Sequence, residues 1–216
     1  MHGFALNIVL NHSVLLAAFA SVIRFRMWCK KFLPFIFFIW LGLINETISL
    51  AFIYTKGYNT FNSNIYVLFE SAILFFQFYK WKAISQLQLY ALLFCSFFVW
   101  LLDNLIWHNL YNNNSVFRIT YSLAIIGCSF RQVNLLLACE KFSLLRNPVF
   151  LICFAFIFYY SLKIFIEVFN ACHPHWSQAC CRNIFTILYT SDFISNIMYT
   201  IALLCLQRKP AFTMQY

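Results

Sequence analysis

The chain has 216 residues, of which 63% are hydrophobic, 21% aromatic and 10% charged, whereas an ordinary soluble domain is roughly half apolar and a quarter charged. With 28 Phe, 4 Gly, 4 Pro and a mean hydropathy of +0.76, the composition excludes a water-soluble fold, a disordered chain and collagen-like or solenoid repeats. The net charge of +9 would point to nucleic acid in a soluble protein, but beside apolar segments basic residues act first as orientation signals. The expected partner is therefore the lipid bilayer and not nucleic acid.

A hydrocarbon core of about 30 Å needs about 20 helical residues. Apolar stretches of that size occur near 4–23, 33–55, 64–81, 87–108, 116–138, 148–169 and 184–206. They are too long and too continuous to be barrel strands, which would be about ten residues long and alternate in polarity. The predicted fold is all-α: a polytopic membrane protein with one seven-helix transmembrane domain over 1–216.

The first stretch carries Ala18-Phe19-Ala20, which resembles a signal-peptidase site. It lacks a basic residue ahead of it, however, and cleavage would leave Arg24, Arg26, Lys30 and Lys31 outside. It reads as a retained helix. The second stretch holds Glu46 and the third Glu70. On the fourth, Ser96, Trp100, Asp103 and Trp107 are spaced to make one polar-aromatic stripe. The fifth carries Arg118 and Arg131, whose separation turns them to different faces; Arg118 suits a carboxylate site and Arg131 can snorkel to headgroups. On the sixth, Lys163 and Glu167 are one turn apart and can pair, although Glu167 lies near enough to the helix end to be solvated. On the seventh, Tyr189, Asp192, Asn196 and Tyr199 form a second stripe.

Between the sixth and seventh stretches lie Cys172, His173, His175, Cys180 and Cys181. On an oxidising side, Cys172 can pair with Cys180 or with Cys181. The same residues match no standard zinc spacing, so no metal is expected. His12 and His108 read as satisfied polar residues. The openings of the second and sixth stretches (Leu33-Pro34, Asn147-Pro148) and of the third and seventh (Asn64-Ile65, Asn183-Ile184) hint at a parallel three-plus-one-plus-three repeat. So shallow a match is what chance gives in a Phe/Ile-rich chain.

Basic residues are concentrated in alternate loops: Arg24, Arg26, Lys30 and Lys31, then Lys80 and Lys82, then Lys141 and Arg146, then Arg208 and Lys209. The other loops hold Lys56 and Arg182. By the positive-inside rule the N-terminus is outside and the C-terminus inside. With that orientation the rise per residue puts Asp103 about 8 Å below the outer surface, Glu70 and Lys163 about 9 Å, Asp192 about 12 Å and Glu46 about 14 Å. Intramembrane charges are costly and usually face a bundle interior or cavity. Glu46, Glu70, Asp103, Arg118, Lys163, Asp192 and Asn196 are therefore expected to form a ligand or proton pocket open to the outer face. The competing reading is that these groups only join helices through hydrogen bonds.

The segments NIYVLFESAILFFQFYKW (64–81), NPVFLICFAFIFYYSLKIFIEVF (147–169) and 183–209, which ends NIMYTIALLCLQRK, resemble uncharacterised seven-helix membrane proteins common in Bacteroidota. The resemblance includes Glu70, Arg118 and Pro148, and implies a bacterial inner-membrane location without implying an activity. A retinal Schiff base is excluded because no Lys lies between Tyr189 and Ala202. No paired His, phosphate-binding loop, dinucleotide fingerprint or haem-attachment motif occurs, so no catalytic residue and no cofactor are expected. The leading expectation is a receptor-like or regulatory protein that binds a small polar or cationic ligand and signals through a membrane protein partner. The second is a small secondary transporter coupled to protons through its buried carboxylates.

Overall fold

The computed structural model of the chain describes residues 10, 12–25, 30–112, 114–139, 144–172 and 178–206, the side chains of 139 and 178–183 excepted. Among the described residues the regular structure is all helical: α1 (Val14–Ile23), α2 (Leu33–Lys56), α3 (Thr60–Lys80), α4 (Gln86–Leu101), α5 (Ser115–Cys139), α6 (Pro148–Cys172) and α7 (Gln178–Leu204). A π-helical turn, Leu102–Trp107, continues α4, and a short 3-10 turn, Leu144–Arg146, precedes α6.

Local chemistry explains the helix ends. Pro34 opens α2, where a missing N–H costs nothing, and Gly57 at φ 79° closes it in the left-handed conformation that only glycine adopts freely. Ser85 and Gln88 form a reciprocal capping box at the start of α4. The end of α3 is a Schellman motif, with Ala83 N–H donating to Phe78 O and Lys82 N–H to Tyr79 O. Its left-handed position is occupied by Lys82, at φ 64°. The buried N-terminus of α2 has no cap of its own, and α3 supplies one. Gln77, fully buried, accepts from Phe35 N–H at 2.7 Å and donates to Lys31 O at 2.7 Å.

Five segments, Leu33–Lys56, Gln86–Trp107, Ser115–Ala138, Pro148–Cys172 and Ile184–Leu204, are long and apolar enough to cross a membrane. Helix α3 shows why composition alone leaves it out. Its Asn64, Glu70, Ser71 and Gln77 are buried, whereas Phe69 and Phe76 are exposed. Such an inside-out pattern is stable when apolar groups face lipid and polar groups face other helices. Elsewhere, too, large apolar side chains such as Tyr54, Leu87 and Phe94 stand on the surface. The chain is a helical membrane protein.

Helix packing closes a ring. Helix α1 contacts α2, α2 contacts α3, α3 contacts α5, α5 contacts α6, α6 contacts α7, and α7 returns to α1. Helix α4 lies outside, packed on α3 and α5. It is accordingly the least buried span, at 17%, whereas α6 is the most buried, at 39%. The ring is thus two consecutive triplets, α1–α3 and α5–α7, with α4 as the outlying seventh helix.

One end of the ring is an aromatic plug. Phe35 and Phe38 of α2, Phe156 of α6 and Tyr199 of α7 meet edge to face with centroids 5.3–6.1 Å apart, and Phe78 of α3 joins Phe156 at 6.0 Å. Such pairs add about 0.5–1.5 kcal/mol each beyond the area they bury.

Candidate functional site

Above the plug the ring encloses a cavity of about 460 Å³. Every ring helix except α1 contributes charged or polar walls, with α1 supplying Val14 and, just ahead of it, His12; no α4 residue lines the space. The lining on α2 (Phe38, Ile39, Gly42, Asn45, Glu46, Ser49) recurs at three- and four-residue spacing, as does that on α3 (Ser63, Tyr66, Val67, Glu70). On α7 the lining includes Tyr189, Asp192, Asn196 and Tyr199, the stripe predicted from spacing.

Glu70, 3% exposed, is the best-bonded carboxylate. Tyr121 of α5 donates to it at 2.7 Å, Tyr160 of α6 at 2.8 Å, and Lys163 of α6 approaches to 3.5 Å. Lys163 also donates to the Tyr121 hydroxyl. Its ammonium lies 5.1, 5.4 and 5.5 Å from the ring centroids of Tyr121, Tyr159 and Tyr160. A buried ammonium needs such company, because rings and a carboxylate replace the water it has lost.

The second pair sits nearer the mouth. Arg118 of α5 meets Glu167 of α6 at 3.4 Å and donates to Ser63 at 2.8 Å and Asn64 Oδ1 at 3.0 Å on α3. Ser115 donates to the other Glu167 oxygen at 2.7 Å. Two expectations fail here. Glu167 is 4% exposed and paired rather than solvated, and it turns to Arg118 while Lys163 turns to Glu70, so the neighbours on α6 do not pair with each other. Arg118 meets Glu167 through one nitrogen only and spreads the others over α3, and its buried Nε has no partner among the described residues.

Asp192 accepts from Asn196 at 3.1 Å, and Asn196 also donates to Ser13 ahead of α1 at 2.9 Å. Neither Glu46 nor Asp192 forms an ion pair with Lys or Arg among the described residues.

Asp103 lies away from the cavity. The π-helical turn adds a residue to the last turns of α4, so the predicted stripe breaks: Asp103 and Asn104 are buried and Trp107 is 58% exposed. Asp103 instead caps α5, accepting from Phe117 N–H at 2.7 Å, and its other oxygen lies 3.1 Å from His108 Nδ1. Asn104 donates to the Trp100 carbonyl one turn back in α4, and Asn114 and Asn64 knit the same end through bonds of 2.8–3.0 Å to the Asn104 side chain and to loop carbonyls. Arg131 is exposed and donates to Gln88 Oε1 at 3.1 Å. Cys172 is exposed at the end of α6. The side chains of Cys180 and Cys181, and with them the predicted disulfide, lie outside the described residues, as do His173 and His175.

Glu46, Glu70, Arg118, Lys163, Asp192 and Asn196 therefore line one space, and Asp103 does not. The walls that spacing did not single out include His12, Asn45, Ser63, Tyr66 and Tyr159. The three-four rule applied to α2 and α3 would have found Asn45, Ser63 and Tyr66. Tyr121 is three residues from Arg118 and Tyr160 three from Lys163, so the same rule puts them on the pocket-side faces, but spacing does not show that both bond Glu70 on another helix. Compared with family models, curated proteins and solved structures, the chain matches none.

Proposed function

We propose that the chain is a seven-helix receptor-like or regulatory protein of a bacterial inner membrane, with its N-terminus outside and its cavity open to the outer face. A small ligand enters the cavity, shifts the helices that line it, and a membrane protein partner senses the shift. The charge distribution supports the orientation: Lys30, Lys31, Lys80, Lys82 and Arg146 lie at the plugged end, where the positive-inside rule puts the cytoplasm. The observation that carries the functional reading is the closed floor. Phe35, Phe38, Phe156 and Tyr199 fill the ring below the polar walls, so a ligand has a place to bind and no path beyond it.

A proton-coupled transporter is the second reading. It is favoured by Glu70, a buried carboxylate of α3 bonded by Tyr121 of α5 and by Tyr160 and Lys163 of α6, so that one acidic group joins three helices. Cysteine accessibility separates the two. In a background without native cysteines, Asn45→Cys and Ser49→Cys are expected to react with a membrane-impermeant cationic thiosulfonate added outside and not with reagent inside. Reaction from both sides would favour the transporter.

A further inference from the structure

The two helices that flank α1 in the ring, α2 and α7, carry a similar succession of chemistry from mouth to floor. Along α2 it runs Ile53, Leu50 and Ser49, then Glu46 and Asn45, then Gly42, Ile39 and Phe38; along α7 it runs Phe185, Leu188 and Tyr189, then Asp192 and Asn196, then Tyr199. Each wall is thus a mainly apolar collar, a carboxylate beside an asparagine and an aromatic base. The other walls hold charges that already answer one another, Glu70 with Lys163 and Glu167 with Arg118. Four carboxylates and two strong cations line the cavity, and both cations are taken. His12 is the remaining titratable group besides the tyrosines at the Glu46 side.

Among the described residues, the carboxylates without a Lys or Arg ion pair are therefore those of the α2 and α7 walls. Tyr66, Tyr189 and Tyr199 line the same volume. Carboxylates attract a cation over long range in a confined, weakly screened space, and aromatic rings favour one whose charge is spread over methyl groups, because it sheds water cheaply. A space of about 460 Å³ falls within the size range of small-ligand sites and exceeds what a bare metal ion requires.

We propose that the cavity binds a small amphiphilic organic monocation, an alkylamine or quaternary ammonium, with its charged head between Glu46 and Asp192 and its alkyl part against the collar of Leu50, Ile53, Phe185 and Leu188. This rests on the outward-open pocket proposed above and names the ligand class for it. An anion is disfavoured, because Arg118 and Lys163 would have to abandon Glu167 and Glu70 to meet it. A bare divalent metal is disfavoured as well, since no group of three or more potential ligands that could hold one occurs among the described residues.

Titration of the full-length protein in nanodiscs, by calorimetry and by thermal unfolding, tests this with three probes of similar size: butyltrimethylammonium, hexanoate and 1-hexanol. The cation is expected to bind saturably and raise the unfolding temperature, with hexanoate and hexanol at least tenfold weaker. Asp192→Asn, which keeps the shape of the side chain, and Glu46→Gln should each weaken cation binding at least tenfold. Gly42→Leu, which fills the cavity without touching a charge, should abolish it. Preferential binding of hexanoate, or of hexanol equally with the cation, would overturn the cation assignment while leaving a ligand pocket. Binding of none of the three would overturn the pocket itself. Undiminished cation binding in both carboxylate variants would move the site elsewhere and likewise overturn the proposal.

Discussion

Glu70 and Lys163 illustrate how a charge is retained inside a helix bundle. Their side chains are 4% and 7% exposed, so neither can borrow water if the other is lost. Removing one partner of a buried pair typically costs about 3–5 kcal/mol, because the survivor is left uncompensated, whereas removing both costs far less. Glu70→Gln and Lys163→Met are therefore each expected to destabilise strongly, and the double variant to be more stable than the Glu70→Gln single variant. A double-mutant cycle of unfolding free energies in mild detergent measures this, and strict additivity would show that the pair is not coupled. Arg118 makes the complementary point about shape. Its three partners, Ser63, Asn64 and Glu167, sit around a planar fork that lysine cannot reproduce, so Arg118→Lys should lose about 1.5–3 kcal/mol or more, as thermal unfolding would reveal.

At the scale of the helix, ends matter more than middles. Gln77 satisfies both a donor of α2 and a carbonyl just ahead of it from within the core. Gln77→Leu should cost about 1–3 kcal/mol per group left unsatisfied, clearly more than Ser85→Ala at the exposed capping box of α4, worth about 1 kcal/mol. Parallel unfolding curves of the two variants would check the order. Lys82 stands where a Schellman motif ordinarily has glycine, and left-handed backbone costs a side-chain-bearing residue about 1 kcal/mol. Lys82→Gly is therefore expected to raise stability by up to about that amount, the greater unfolded-state freedom of glycine offsetting part of the gain. Asp103 is a helix cap despite its intramembrane position. Asp103→Ala should lower stability by about 1–3 kcal/mol while leaving the outside labelling of Asn45→Cys and Ser49→Cys unchanged. Altered labelling would return Asp103 to the cavity.

Across the whole molecule, a ring of six helices with α4 on its outside separates two tasks. The ring builds an enclosed polar space, and α4 braces α3 and α5 while presenting Leu87, Phe94 and Phe98 outward. Because the basic residues cluster at the plugged end, a cytoplasmic reporter fused after Tyr216 is expected to be active and a periplasmic one silent; the reverse result would invert the molecule and the proposed outward opening with it.

Composition and segment length were enough to read the helical class, because 63% hydrophobic residues in runs of about 20 have few other stable arrangements. Spacing was enough to read the α7 stripe, since residues three and four apart must share a face of a straight helix. That rule failed on α4, where a π-helical turn changed the register and took Asp103 out of the layer predicted for it. Partnership was not legible in the sequence. Glu70, Asp103 and Glu167 all belong near the same end of the bundle, yet one meets Lys163 and two tyrosines, one caps α5, and one meets Arg118. Rise per residue fixes how deep a side chain sits in its own helix, whereas its partner depends on which helices become neighbours and how each is rotated about its axis. Those quantities are set by packing among residues far apart in the chain, and it is this packing that makes scattered charges into two ion pairs and a pair of open carboxylates.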